Sequence, residues 1–489
     1  MKPLENEDDI SETILSLREY YELDPYPTLN LRVSWLQSLE NLIIKYEKQF
    51  VEAINADFGS RARHETELCE IIPTLSAIRH ALKNLSFWVK LRRRKTSPFF
   101  WFGHSEIFFQ PLGLVGIISP WNYPLQLSLI PAVNALAAGN RVVVKPSEKT
   151  KNFAVLLREK FSQEIDRSAV RVILGDWKAA DALVKNKFID HIFFTGSSGT
   201  GKKIMKIAAE NLTPVTLELG GKSPVYIAAD ADLCDSVSKI TRSKLLNAGQ
   251  TCIAPDFLIL EKSHKDRFLN LWCLKIEEFY PDILYNKDYT TIISDERIDI
   301  MFALLVDAAE KGGIIYIPVK GTSLNVSKDI LSGDFSRDQF LKEKKFLPVV
   351  IWNVNFSMRV MREEIFGPIL PVFVVKSDEE AVSIINCIER PLAFYYFGKR
   401  KLHGGKWLQK VVSGGMTVND CLLHCIQNEL PFGGIGNSGT GSYHGVWGFE
   451  NFSHMKAVFQ QSKFSLMKKL DPPFTYISDK LIDFIKKYI

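Results

Sequence analysis

From Trp35 through Leu36, Leu39, Leu42 and Ile43 to Tyr46, apolar residues recur three and four positions apart, the spacing that gathers them on one face of a helix. The pattern predicts an amphipathic N-terminal helix that packs on a domain formed later in the chain. Between Gly113 and Glu218 the period changes. Short β-branched runs, Val115 to Ile118, Val142 to Lys145, Val170 to Leu174 and His191 to Phe194, alternate with helical stretches near Leu125 to Ala138, Ala154 to Phe161 and Gly201 to Asn211. Such alternation predicts a parallel sheet with helices on its faces, and nucleotides bind these sheets at the carboxyl ends of the strands. A second α/β region runs from Gly220 to about Gly415, followed by Gly-rich loops and a tail. In the tail, Ile477, Leu481, Phe484, Ile485 and Tyr488 share one helical face, with Lys480, Lys486 and Lys487 elsewhere. A face of that kind packs on its own protein or on a second subunit; the other reading is weak peripheral contact with a membrane surface.

At 489 residues the chain exceeds one ordinary core, so two or three domains are expected. Lys and Arg number 61 against 56 Asp and Glu, and the resulting +5 is too small to argue for nucleic acid or an acidic partner. The basic run Leu91 to Lys95, followed by Phe99, Phe100, Trp101 and Phe102, is read as a protruding arm rather than a nucleic-acid patch. Seven cysteines form no CxxC pair, which indicates neither structural zinc nor a disulfide framework and fits a reducing cytoplasm. The acidic opening at Glu5, Glu7, Asp8 and Asp9 has the wrong charge for a signal or transit peptide, and no apolar run is long enough for a membrane span.

The candidate chemistry centres on Asn247 to Pro255, where Cys252 sits in a turn bounded by Gly and Pro, with Glu218 upstream in Leu217 to Lys222. A thiol is a strong nucleophile, and a carboxylate can activate the water that releases a covalent intermediate, so the pair suggests acyl-enzyme chemistry. The plain alternative is a cysteine packed as a small hydrophobe. Strand His191 to Phe194 runs into Thr195 to Lys203, a glycine turn opening a helix, whose amides and dipole suit phosphate. The same segment, Gly196 to Lys202, matches most of a P-loop, with Val225 to Asp230 as a strand ending in a magnesium-binding Asp, so an NTPase or phosphotransferase is the rival reading. Against it, Lys203 stands where a P-loop needs a Ser or Thr hydroxyl.

Seven blocks, Pro120 to Pro124, Lys145 to Glu148, Phe194 to Ser197, Glu218 to Lys222, the Cys252 turn, Glu363 to Pro368 and Pro431 to Gly434, resemble the aldehyde dehydrogenase superfamily in order and spacing. Asn437-Ser438-Gly439, Tyr443-His444-Gly445 and Asp471 to Thr475 are most similar to its class 3 and coniferyl-aldehyde branch. The resemblance implies a Rossmann-like NAD-binding domain at 1–85 and 106–218, a second α/β catalytic domain at 219–415, and an oligomerisation arm, active-site loops and tail at 86–105 and 416–489. It implies oxidation of an aldehyde to a carboxylic acid: Cys252 attacks, the Asn122 amide and the Cys252 backbone N–H hold the oxyanion, and Glu218 activates water against the thioester. A Glu at 218 favours hydrolysis over transfer to coenzyme A. Gly196, Ser197 and Gly201 match the turn at the cofactor pyrophosphate, Lys145 and Glu148 the adenosine ribose, and Glu364 and Phe366 the nicotinamide ribose and ring. Ser119, Trp121, Ser147 and Leu219 match further cofactor-binding positions. A carboxylate at Glu148 favours NAD over NADP, although the branch often uses both. No metal is implied. The substrate is a coniferyl-type aromatic or a medium- to long-chain aliphatic aldehyde, and a homodimer is expected.

Overall fold

The β-branched runs form strands because helices cover them on both sides. Leu114–Ile118, Arg141–Lys145 and His191–Thr195 are buried along their whole length, as strands of an interior parallel sheet are. The computed structural model describes residues 7–97, 100, 102–399 and 406–488. In it, six strands lie in the order Gly439–Thr440, Val215–Glu218, His191–Thr195, Leu114–Ile118, Arg141–Lys145, Val170–Val172, parallel except for the first. The order reverses at Leu114–Ile118: the chain leaves it toward Arg141–Lys145 and Val170–Val172 on one side and then returns to His191–Thr195 on the other. Such a switch point opens a crevice at the carboxyl ends of the strands.

The helix Leu29–Phe58 buries Trp35, Leu36, Leu39, Leu42 and Ile43 and packs against the helices Lys151–Glu164, Ile72–Trp88 and Pro124–Ala138. The helix read from Ala154 to Phe161 spans Lys151–Glu164, since apolar periodicity marks only the buried face and not the polar ends. The helix read from Gly201 begins instead at Ser198, because the Ser197 side chain accepts from Thr200 N and caps it; it ends at Ala208, and a 3-10 turn covers Ala209–Asn211.

A second, eight-stranded sheet is centred on Ile369–Val375 and Phe257–Glu261 and ends at one edge with Gly415–Val418, running three residues beyond Gly415. The following loops return to the first sheet, where Gly439 pairs with Glu218. Arg92–Arg94, His104–Pro111 and Ser453–Gln460 form a separate antiparallel sheet. There Arg92 pairs with Glu450 and lies 4.5 Å over the Phe109 ring, so part of the basic run is spent on this chain itself. Phe100 meets Phe459 at 5.6 Å, while Phe99 and Trp101 lie outside the described residues. The tail helix Tyr476–Tyr488 leaves Ile477 57% and Phe484 60% exposed. No described helix is long and apolar enough to cross a membrane.

Candidate active site

Each side chain of the site is delivered by a strand end or a constrained turn. Val215–Glu218 carries Glu218 to the edge of the crevice, where the Glu218 carbonyl accepts from Gly196 N at 3.0 Å. After the helix Leu233–Leu245 the chain passes through Asn247, Ala248 and Gly249 at φ of 52°, 51° and 75°. Left-handed backbone costs a non-glycine residue roughly 1–2 kcal/mol, so this turn must be held from outside. Asn247 Nδ2 donates to the Asn122 carbonyl at 3.0 Å, and Gln250 Nε2 donates to the Thr291 carbonyl at 3.0 Å. Gly249 has no alternative, since a Cβ there would stand 2.5 Å from the Gly367 carbonyl oxygen. The turn ends at Cys252, on the wall of a cleft of about 830 Å³.

The cleft brings together Trp121, Asn122, Gly196, Ser197, Glu218, Leu219, Cys252, Glu364 and Phe366. Ser119, Lys145, Ser147, Glu148 and Gly201 are not on its wall. Ser119 Oγ meets Ser128 Oγ at 2.6 Å, away from the opening. Lys145 Nζ donates to Glu148 Oε2 at 3.0 Å, beyond the end of Arg141–Lys145, and Ser147 Oγ accepts from Lys149 N at 3.2 Å. Gly201 lets the helix Ser198–Ala208 approach the sheet, since a Cβ there would come within 2.7 Å of Leu219.

Burial dominates the electrostatics. Glu218 is 2% exposed and neither carboxyl oxygen has a hydrogen-bond partner, so desolvation holds its pKa well above the ordinary carboxylate range. Glu364 is pushed up to about 7, first by burial and then by the Asp256 charge. Burial also raises the Cys252 thiol, with Glu364, Cys425 and Glu218 adding to it, so the resting sulfur carries its proton. Asn122 Nδ2 gives one hydrogen bond to the Gln250 carbonyl at 3.1 Å; an amide nitrogen carries two hydrogens.

A dinucleotide fits the polar groups that are present. Ser197 and Ser198, which open the helix Ser198–Ala208, line the cleft, and a helix start suits phosphate. Thr195 Oγ1 and Glu364 Oε1 are buried without a partner at the same opening. Gly220 leaves room for the Glu364 carboxylate, which a Cβ would meet at 2.1 Å.

Sequence reading passed over the groups that hold this wall. Lys222 Nζ pairs with Asp256 and donates to the Val360 carbonyl at 2.8 Å, while Asp256 Oδ1 accepts from Ile365 N at 3.0 Å. Arg297 Nη2 donates to the Ile365 carbonyl at 2.8 Å. These bonds fix Glu364 and Phe366, the latter at φ 50° and edge-on to Trp121 at 5.4 Å. Single charged residues scattered through 489 positions gave no signal that they converge. Among the described residues no group of His, Cys, Asp and Glu is arranged to hold a metal ion.

The P-loop reading fails on topology. His191–Thr195 feeds the glycine turn in the six-stranded sheet, whereas Pro224–Ile227, leading to Asp230, belongs to the eight-stranded one. Asp230 accepts from Lys399 N at 3.3 Å instead of standing beside the phosphate turn, as a magnesium-binding Asp must. The profile of the aldehyde dehydrogenase family matches residues 6–458. This chain belongs to the aldehyde dehydrogenase family. It is 40% identical to a probable coniferyl aldehyde dehydrogenase of Pseudomonas aeruginosa, over 95% of this chain and 94% of that one. It is 36% identical to a dimeric NADP-preferring aldehyde dehydrogenase of Canis lupus familiaris, covering 92% and 94% respectively. Among solved structures, an AldH of Staphylococcus aureus in a substrate-bound state superposes with a TM-score of 0.87 at 31% identity, covering 97% of this chain and 99% of that one. The α/β architecture is that of the family.

Proposed function

We propose that this enzyme oxidises an aldehyde to a carboxylic acid through a thioester on Cys252, with NAD as preferred cofactor and a coniferyl-type aromatic aldehyde as the favoured substrate class. The observation that carries the proposal is the convergence of Cys252, Asn122 and the unpaired Glu218 carboxyl on one cleft. Cys252 Sγ gives its proton to water in the open cleft as it attacks the carbonyl carbon, and the negative oxygen is met by the second Asn122 amide hydrogen and the Cys252 backbone N–H. When bound in the cleft, the nicotinamide supplies the oxidising equivalent that takes the Cys252 hemithioacetal to the thioester. Glu218 then takes a proton from water, whose oxygen attacks the thioester carbon and returns the sulfur. Burial makes this carboxyl a stronger base than an ordinary one, as that task requires. The six-stranded sheet with its helices serves as the cofactor domain and the eight-stranded sheet as the catalytic one. The substrate class rests on the name of the Pseudomonas aeruginosa relative and is tested by a panel of aromatic and aliphatic aldehydes: comparable kcat/KM for coniferyl and long-chain aldehydes would contradict it.

Cofactor choice is assigned to Glu148, whose carboxylate would repel a 2′-phosphate. Glu148→Ser is expected to raise kcat/KM for NADP relative to NAD about tenfold, since removing one charge repulsion of order 1.4 kcal/mol changes a ratio by that factor. An unchanged ratio would contradict the assignment. Seven unpaired cysteines fit a reducing compartment, and the cytoplasm is the proposed location. The exposed apolar face of Tyr476–Tyr488 and the uncovered antiparallel sheet favour a homodimer. Sedimentation of the full chain and of one ending at Gln460 should give a dimer that weakens on truncation. Flotation of only the full chain with anionic liposomes would assign the tail to a membrane surface instead.

A further inference from the structure

We propose that the buried Arg61–Glu70 ion pair is a positioning device that sets the Asn122 amide for the oxygen developing on Cys252-bound substrate, an inference resting on the roles given above to Asn122 and Cys252. Both side chains of the pair are fully buried, and they meet at 2.9 Å. Two arms reach from it to the turn that carries Asn122. Arg61 Nη1 donates to the Asn122 carbonyl at 3.2 Å. The second Glu70 oxygen accepts from Leu125 N at 2.7 Å and Gln126 N at 3.4 Å, the opening amides of the helix Pro124–Ala138. Between these arms, the Tyr123 ring lies 5.0 Å from the guanidinium and its hydroxyl meets Thr251 Oγ1 at 2.7 Å, one residue before Cys252. The turn is therefore held at its middle, its exit and its contact with the cysteine loop, and the Asn122 side chain has one amide hydrogen committed to Gln250.

The same short loop reaches the other side of the cysteine. Thr291 Oγ1 donates to the Phe58 carbonyl at 2.6 Å, Thr291 N donates to the Ser60 carbonyl at 3.0 Å, and the Thr291 carbonyl receives Gln250 Nε2. Residues 58–61 thus touch the donor turn directly and the nucleophile turn through Thr291. Stability alone does not explain the pair. Arg61 Nε and Nη2 are buried without a hydrogen-bond partner, Nε having only an ion-pair contact with Glu65 at 3.5 Å. Buried pairs retained only for packing are normally fully satisfied, and an apolar pair of equal volume serves as well.

The test uses p-nitrophenyl acetate without cofactor. Cys252 Sγ takes the acetyl group, p-nitrophenolate leaves, and water then releases acetate and restores the thiol, so the first step meets the same oxyanion site. Arg61→Met is expected to slow the p-nitrophenolate burst about 10- to 100-fold, as a displaced oxyanion donor does, with little change in KM. In an Asn122→Ala background the same substitution should add nothing. Losses that multiply in the double variant would overturn the proposal. Should Arg61→Met not fold, Glu70→Gln, which keeps an oxygen for the Leu125 and Gln126 amides, is carried through the same cycle, with about a tenfold loss and the same non-additivity expected. A full burst in Asn122→Ala would sink the role of Asn122 itself, whereas a slow Asn122→Ala beside an unimpaired Arg61→Met would overturn only the clamp.

Discussion

Cys252→Ala is expected to lower steady-state aldehyde oxidation at least about 10⁴-fold, the scale on which loss of a covalent nucleophile acts, while the dissociation constant for NAD stays within about twofold. The two halves of that outcome come from different parts of the cleft. The sulfur stands at the end of a left-handed turn, whereas the cofactor's phosphates are offered the amides that open the helix Ser198–Ala208. Alanine keeps the backbone of the turn and removes only a half-buried sulfur on the cleft wall, so folding should survive. Stopped-flow absorbance for turnover and calorimetry for NAD check both halves. Retained dehydrogenase activity would show that another group takes the carbonyl carbon.

Glu218→Gln should separate chemistry from stability. Removing the base is expected to lower steady-state turnover on the order of 10²- to 10⁴-fold while a first-turnover burst of reduced cofactor survives. If turnover is unchanged, hydrolysis uses another base, and Glu364, the other cleft carboxyl whose charge reaches the sulfur, is the first to test. The same substitution should stabilise the fold at neutral and alkaline pH. A carboxyl whose folded pKa lies above its unfolded value contributes stability that is fully present below the unfolded pKa and lost as pH rises toward the folded one. Glu218 is raised by burial with no compensating partner, so the wild type carries that loss above the ordinary carboxylate range. Glutamine does not ionise. The melting temperature of the variant should match wild type near pH 4 and exceed it by roughly 1–3 °C at pH 8. A gap that closes with rising pH would mean the carboxylate is stabilised in the fold.

What sequence could show follows from how each feature is built. Runs such as Val142 to Lys145 are buried on both faces, so hydrophobicity alone marks them, and the strand Arg141–Lys145 begins one residue earlier than the run. Helix ends depend on caps: Ser197 looks like loop until its bond to Thr200 N is seen. The glycine turn and the cysteine turn were legible because chemistry and backbone demand the same residues there. Gly249 cannot carry a Cβ, and Gly201 must let Leu219 pack. The supports were not legible. Arg61, Glu70, Asp256 and Arg297 are isolated charges in the sequence, and their meaning arises only when folding brings Asn122, Leu125 and Ile365 beside them. Glu148 was read as a ribose ligand, and its bond to Lys145 shows that one of its oxygens already has a partner before any nucleotide arrives.

The central claim is a thioester on one sulfur, and it can be weighed. Acid-quenched Glu218→Gln protein, taken within the first turnover with aldehyde and NAD, should gain the aldehyde's mass less two hydrogens, carried by the peptide containing Cys252. An unmodified Cys252 peptide during that burst, or the same gain on any of the other cysteines, would contradict it.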